Sequence, residues 1–448
     1  MTQLQTILDK APADQLGFVT LDGQEVSFGR ARSAIMAFAG ALHDLDLAQG
    51  AQILIKTENP TTDFFLTLAC LGRGLCPILA GDTATLKKNN VRLDHIIALS
   101  DAAQGTIPFT QHWFENPPQP LDATTGQVIA ASSGTTGNLK FFRLSHHVLL
   151  NRAAIFRKIY ASHDISLSNR PHMITLGANA IYAVLMSIGN LMDGRASLRP
   201  AQSPADSLAL LAKYDAAHLS TTPLYLSRML DAPRPKLNLE LVVSNGAKTN
   251  RDLAIDAESK LGAPVYSSYG SSEMGPVFFG RIRELSSNGL GRIHPWIMTK
   301  QKNGLIGIRA DDDLVAEGYT NGTAMLDQDY FYPGDRVTIK EDQAYWEGRA
   351  TELINTGGDK IAPERIEAGL HNFPGISNVV ALAVPNDQEL DDIGLVLETE
   401  NSFSQSFLEK ELKRQYGAQL HFKIACVDAI PLSGTGKAER RKLRRLFE

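Results

Sequence analysis

Ala130-Ala131-Ser132-Ser133-Gly134-Thr135-Thr136-Gly137-Asn138-Leu139-Lys140 is the stretch on which the reading of this chain turns. A short apolar run, Val128-Ile129-Ala130, reads as a strand that feeds straight into it. Two glycines, four hydroxyl side chains and a lysine then follow, with no large apolar residue until Leu139. Glycines let a backbone approach a polyanion and turn its amides inward, hydroxyls add donors, and lysine adds charge. That is the composition of a loop around phosphate oxygens, although an ordinary surface turn uses the same letters. No Gly-Lys-Ser or Gly-Lys-Thr closes the stretch, so it is not a Walker A loop, and a kinase or GTPase of that class is disfavoured.

The chain has 448 residues, more than one core usually holds, so two or three domains are expected. A hydrophobic share of 43% and a charged share of 21% are those of an ordinary globular protein. The net charge of -5 argues against a dedicated nucleic-acid binder. Cys70, Cys76 and Cys426 are odd in number and form no metal-ligand cluster, which fits a reducing compartment. The first ten residues lack the pattern of a signal peptide, and no apolar run reaches the ~20 residues of a membrane span. A cytoplasmic location is therefore expected.

Outward from the loop, strand-like and helix-like segments alternate. A hairpin is expected around Asp22-Gly23, a helix over 30–45, a strand over 52–55, a helix over 62–71 and a strand at 78–80. Residues 114–126 read as a linker, and Ser145 as the N-cap of a helix with His146 and His147 solvated in its first turn. The alternation predicts an α/β fold with parallel-rich sheets packed by helices.

Further polar clusters carry chemistry. From Tyr266 to Gly275 an aromatic ring able to stack on a purine stands beside hydroxyls and Glu273, a carboxylate able to hold Mg²⁺. Asp335 follows the turn glycine Gly334, where it could accept from both hydroxyls of a ribose or merely satisfy local amides. Gly357-Gly358 would let a backbone come close to a ligand, and Pro363, Glu364 and Glu367 make a conventional helix opening. Lys437, in Ser433-Gly434-Thr435-Gly436-Lys437, is a mobile charge that could bridge two anions, or surface decoration.

In their order along the chain, these segments resemble the adenylate-forming enzymes, the superfamily of acyl-CoA synthetases, nonribosomal peptide synthetase adenylation domains and firefly luciferase. Ser132 to Lys140, with Leu144-Ser145-His146, resembles that family's phosphate loop. The resemblance implies a large amino-terminal domain, 1–349, that binds ATP and a carboxylate, and a small mobile α+β lid, 350–448. It implies ATP contacts from Ser132, Ser133, Gly134, Thr135, Thr136, Gly137 and Lys140, and from Asn245, Gly246 and Ala247. Ser268, Tyr269, Gly270, Ser271 and Ser272 would add to these, with Tyr269 on the adenine. Asp335 would hold the ribose, Arg349 would be a second nucleotide contact, and Glu273 would be the metal ligand. Catalysis would fall to Lys437, Glu273, Thr135 and Lys140. The acid would sit among Asn179, Tyr182, Met186, Gly246 and Gly270, Thr351 would be the hinge, and Gly357 and Gly358 would face the thiol.

The reaction so implied is activation of a carboxylic acid by ATP, with release of pyrophosphate, followed by thioester formation with coenzyme A. The acceptor could instead be the phosphopantetheine of an acyl carrier protein, and a non-catalytic nucleotide-binding relative is a further alternative. Leu139 and Phe141-Phe142 depart from the family pattern around Lys140, as does Thr351 at the hinge. The segment from Leu176 to Tyr182 holds no aspartate to pair with an α-amino group, and the next one, Asp193, reads as part of the following turn. With Ile181, Tyr182 and Met186, an apolar or aryl acid is therefore expected rather than an amino acid.

Overall fold

The structure is a computed structural model that describes residues 4–79, 81–99, 106–133, 139–177, 180–350, 352–356, 360–370, 373–386, 391–400, 402–416, 420–433 and 438–448. The expected parallel core occurs twice. In an eleven-stranded sheet, Leu16–Val19, Ser197–Leu198, His172–Ile174, His218–Thr221, Leu241–Ser244 and Val265–Ser271 run parallel side by side. Gly275–Arg281, Gly289–Ile293, Gln343–Arg349 and Asp335–Lys340 extend it antiparallel. In a seven-stranded sheet, Gln127–Ser133, Cys76–Ile78, Gln52–Lys56, His95–Ala98 and Thr106–Pro108 are parallel. Every residue of Leu241–Ser244 and of His218–Thr221 is buried, as in parallel strands covered on both faces.

Local chemistry sets the element ends. The hairpin at Asp22-Gly23 pairs Leu16–Val19 with Glu25–Ser27, and Gly23 takes the left-handed φ of 80° that the turn needs. The two expected helices are Phe28–Asp44 and Pro60–Gly72, the second capped by Asn59 accepting from the amides of Thr61 and Thr62. Ser145 caps His146–Ala161 through the amide of Val148.

Three sequence expectations change. The phosphate-loop strand is longer than the apolar run: Gln127–Ser133 turns back into Leu139–Ser145 as an antiparallel hairpin. Phe141, Phe142 and Leu144 are buried on that return strand, so Lys140 lies in a strand and not in a loop. His146 is not solvated but buried, at 4% exposure, with its Nδ1 lacking a hydrogen bond. Its neighbour His147 is exposed and lies 3.2 Å from Asp313. The segment read as a linker packs tightly instead. A methyl group on Gly40 would lie 2.1 Å from the carbonyl oxygen of Pro117, and one on Gly72 would strike the buried Leu121.

Toward the carboxy terminus, Ile376–Pro385, Asp391–Thr399 and Phe422–Val427 form a separate three-stranded sheet. Helices Pro363–Leu370 and Gln405–Tyr416 supply Ile366, Leu370, Leu408 and Leu412 to its core. It meets the rest of the chain at Arg228, whose guanidinium donates to the buried Glu398 and, at 3.2 Å, to the carbonyl of Ile430. Among the described residues no helix is long and apolar enough to cross a membrane.

Candidate active site

The polar clusters meet where the two large sheets face each other, beyond the carboxyl ends of parallel strands, where open α/β sheets take ligands. Strand Val265–Ser271 turns through Ser272, Glu273 and Met274 into Gly275–Arg281, and Ser271 Oγ accepts from the amide of Met274 at 3.0 Å. The turn is tight: a methyl group on Gly270 would lie 2.4 Å from the carbonyl oxygen of Gly275. It buries Glu273 to 4% exposure. From the other sheet, Ser132 Oγ donates to Glu273 Oε1 at 2.7 Å and the Tyr319 hydroxyl to the same oxygen at 3.1 Å. Tyr319 can reach because Gly318–Tyr319 pairs with Phe142 and Arg143 of the hairpin. Burial, and then the Glu273 carboxylate, hold the Tyr319 hydroxyl well above its ordinary pKa, so it remains a donor. Lys140 is exposed, its Nζ 5.2 Å above the Tyr319 ring.

Sequence reasoning missed the group behind this corner. Arg152 is fully buried, and its Nε donates to the carbonyl of Leu314 at 2.6 Å and its Nη1 to that of Ser272 at 2.6 Å. Nη2 donates to the carbonyl of Glu273 itself. Burial draws its pKa down to about 9, opposed by the charges of Glu273 and Glu317, so the guanidinium stays charged at neutral pH. One signal was available: Arg152 sits three residues after Leu149 and four before Phe156, on the buried stripe of its helix.

The second acidic corner is Asp335, 1% exposed, which faces Arg349 directly across a strand pair. Arg349 Nε donates to Oδ1 at 2.7 Å and the Tyr269 hydroxyl to Oδ2 at 2.5 Å. Burial opposes the charge of Arg349, but Asp335 outweighs it and raises the guanidinium pKa above its ordinary value. Burial and Asp335 together push the Tyr269 hydroxyl well up. A carboxylate offers about four lone-pair directions, and two are used here. The Tyr269 ring stacks on Phe278 with centroids 5.3 Å apart.

The turn after Leu241–Ser244 carries Asn245, Gly246 and Ala247, with Gly246 at φ 88° and Asn245 buried. Tyr182 and Met186 lie on helix Ile181–Asp193; the Tyr182 hydroxyl is 3.4 Å from Ser220 Oγ and also bonds Asn245. Ser132, Ser268 to Ser272, Glu273, Asp335 and Arg349 are therefore gathered around one seam. Gly134, Thr135, Thr136, Gly137, Asn179, Thr351, Gly357, Gly358 and Lys437 lie outside the described residues.

Mg²⁺ fits the Glu273 corner. Both protein donors converge on Oε1, and Oε2 accepts no hydrogen bond among the described residues. No cluster of three or more His, Cys, Asp or Glu side chains able to cage a metal occurs among those residues. A single carboxylate is how Mg²⁺ is commonly held when phosphates and waters supply the other ligands.

A family model described as AMP-binding enzyme matches residues 80–305, just over half of the chain. The chain belongs to the AMP-binding enzyme family. Among curated relatives of this AMP-binding protein is an acyl-CoA synthetase of Alternaria alternata, 27% identical over 376 residues, which are 72% of this chain and 65% of that one. An acyl-CoA synthetase of Gibberella moniliformis is 24% identical over 366 residues, 71% of this chain and 66% of that one. The aligned part thus spans just under two thirds of either relative. Among solved structures, o-succinylbenzoate CoA synthetase of Bacillus subtilis, in complex with its acyl-adenylate, superposes with a TM-score of 0.80 at 16% identity. That match covers 99% of this chain and 98% of the other, and it establishes the fold.

Proposed function

We propose that this AMP-binding family member joins a carboxylic acid to the α-phosphate of ATP, releasing pyrophosphate, and then passes the acyl group to the thiol of coenzyme A. The observation that carries the reading is the Glu273 corner: a buried carboxylate with one oxygen saturated by Ser132 and Tyr319 and the other open. The acyl-CoA synthetase relatives favour coenzyme A as acceptor over a carrier-protein phosphopantetheine.

The obstacle to the first step is charge, since a carboxylate must approach a polyphosphate. Mg²⁺ held at Glu273 Oε2 would supply positive charge against the phosphates. Arg152 fixes the backbone of Ser272 and Glu273, so the carboxylate is aimed before substrate arrives. Lys140 extends from the phosphate-loop hairpin, and Asp335 with Arg349 would seat the ribose. In this reading Lys437 bridges the acid and the α-phosphate. Unit charges ~4 Å apart interact by roughly 4 kcal/mol at an effective dielectric near 20. Lys437→Ala should therefore slow adenylation by about two to three orders of magnitude while ATP still binds. In the second step the lid, 350–448, would turn about Thr351, withdraw Lys437 and bring Gly357 and Gly358 to the thiol channel. Tests with free coenzyme A and with a carrier protein separate the acceptors. A pyrophosphate-release screen over a panel of carboxylic acids tests the whole reading, and release independent of every acid would refute it.

A further inference from the structure

A cavity of about 250 Å³ lies between helices His146–Ala161 and Ile181–Asp193 and strands His172–Ile174, His218–Thr221 and Leu241–Ser244. Its body is apolar, with Phe156, Met186, Leu219 and Val243 among its walls. Tyr182 stands at its inner boundary: its ring is edge-on to Phe156 at 5.6 Å, and its hydroxyl touches both Ser220 of the cavity wall and Asn245 of the turn above.

The polar groups of the inner wall are already committed to each other. Ser220 Oγ lies 2.9 Å from His172 Nε2, His172 Nδ1 lies 3.1 Å from Asn190 Oδ1, and Asn190 Nδ2 donates to Ser197 Oγ at 2.9 Å. Since Asn190 presents its oxygen, His172 carries its proton on Nδ1 and accepts from Ser220. Burial, then the neighbouring His218 and Arg195, hold His172 neutral.

The outer end is different. Asp193, the last residue of its helix, is bridged by Arg157 and by Arg195, the latter at 3.3 Å. All three line the cavity, so two guanidinium groups face one carboxylate. Arg157 is 54% exposed, with donors to spare. The buried His218 also lines this space, and its Nε2 has no hydrogen bond, with Glu240 Oε2 3.4 Å away. This end offers guanidinium donors beside the carboxylates of Asp193 and Glu240.

We propose that the cavity receives the end of the acid distant from its reacting carboxylate, and that this end carries a hydrogen-bond acceptor, a keto group or a second carboxylate, on an apolar body. The inference rests on the adenylation reading for which end reacts. A hydrocarbon tip would leave desolvated donors unpaired, the situation in which a polar site discriminates most strongly. An amino group would find the Asp193 carboxylate already paired with Arg157 and Arg195.

Isothermal titration calorimetry of the full chain with three seven-carbon probes tests it: heptanoate, the acid with a ketone next to its terminal carbon, and heptanedioate. Wild type should bind at least one acceptor-bearing probe tenfold or more tighter than heptanoate. Preference for both identifies a neutral acceptor as sufficient, and preference for the diacid alone identifies charge. Arg157→Met, a change at a half-exposed side chain, should cut the ratio to threefold or less, and Ala153→Leu, which fills the cavity, should weaken all three tenfold or more. Equal binding of the three by wild type, or a ratio untouched by Arg157→Met, overturns the proposal. Pyrophosphate release is measured separately with the same acids: a binding preference without any release would sink the adenylation reading and leave the acceptor pocket standing.

Discussion

The two acidic corners of the seam are built on opposite plans. At Glu273 both side-chain donors found among the described residues fall on one oxygen, leaving the other open, and the buried Arg152 grips the backbone and not the carboxylate. At Asp335 each oxygen holds one donor, and Arg349 neutralises the charge directly. The difference separates tasks. A carboxylate with a free oxygen and no ion-pair partner can take a cation, whereas one already paired to a guanidinium cannot, and its remaining lone pairs suit neutral hydroxyls.

Substitutions at the two corners should have different effects. The largest effect is expected from Glu273→Gln, which keeps an acceptor for Ser132 and Tyr319 but removes the charge. Acid-dependent ATP–pyrophosphate exchange should fall by about two to three orders of magnitude, and a fall below tenfold would remove Glu273 from metal binding. Next comes Arg152→Met, which leaves three buried carbonyls without donors. At about 1–3 kcal/mol for each lost partner, partly relaxed, urea denaturation should show a loss of about 3–5 kcal/mol. Arg152→Lys should recover part of it, and near-wild-type stability of the Met variant would refute the clamp. Tyr269→Phe removes one neutral donor from Asp335 and should raise the KM for ATP roughly fivefold, about 1 kcal/mol, with kcat kept. The smallest effect belongs to Ser132→Ala: with Tyr319 still on Oε1, a change of about threefold in the Mg²⁺ requirement is expected, read from exchange rates against Mg²⁺ concentration.

What the sequence made legible was order and alternation. Glu273 and Asp335 were picked out because each stands in a short polar segment after a strand or a turn glycine, Arg349 through the family resemblance, and the structure gathers them. Helices 30–45 and 62–71 were visible because their apolar spacing and caps are local. The remainder depended on partners distant in the chain. His146 looked solvated at a helix start, but the preceding strand carries that start inward, and its amide bonds the carbonyl of Gly126. Lys140 looked like part of a loop because nothing local said that Phe141, Phe142 and Leu144 would pair with residues 128–131. Arg152 was passed over because a charge on an otherwise apolar helix is ordinarily solvated, and only the Ser272–Glu273 turn and Leu314 explain its burial. Asp193 was read as a turn residue; it ends the helix and closes an arginine pair.

Glu273→Gln and Asp335→Asn, compared side by side in acid-dependent ATP–pyrophosphate exchange over a range of Mg²⁺ and ATP concentrations, give the most direct reading of the seam. Glu273→Gln should raise the Mg²⁺ needed for half-maximal exchange and lower the maximal rate, while Asp335→Asn should raise the KM for ATP and leave the Mg²⁺ dependence where it was. If the two variants shift Mg²⁺ dependence alike, or if neither does, the division of labour between the two corners is wrong.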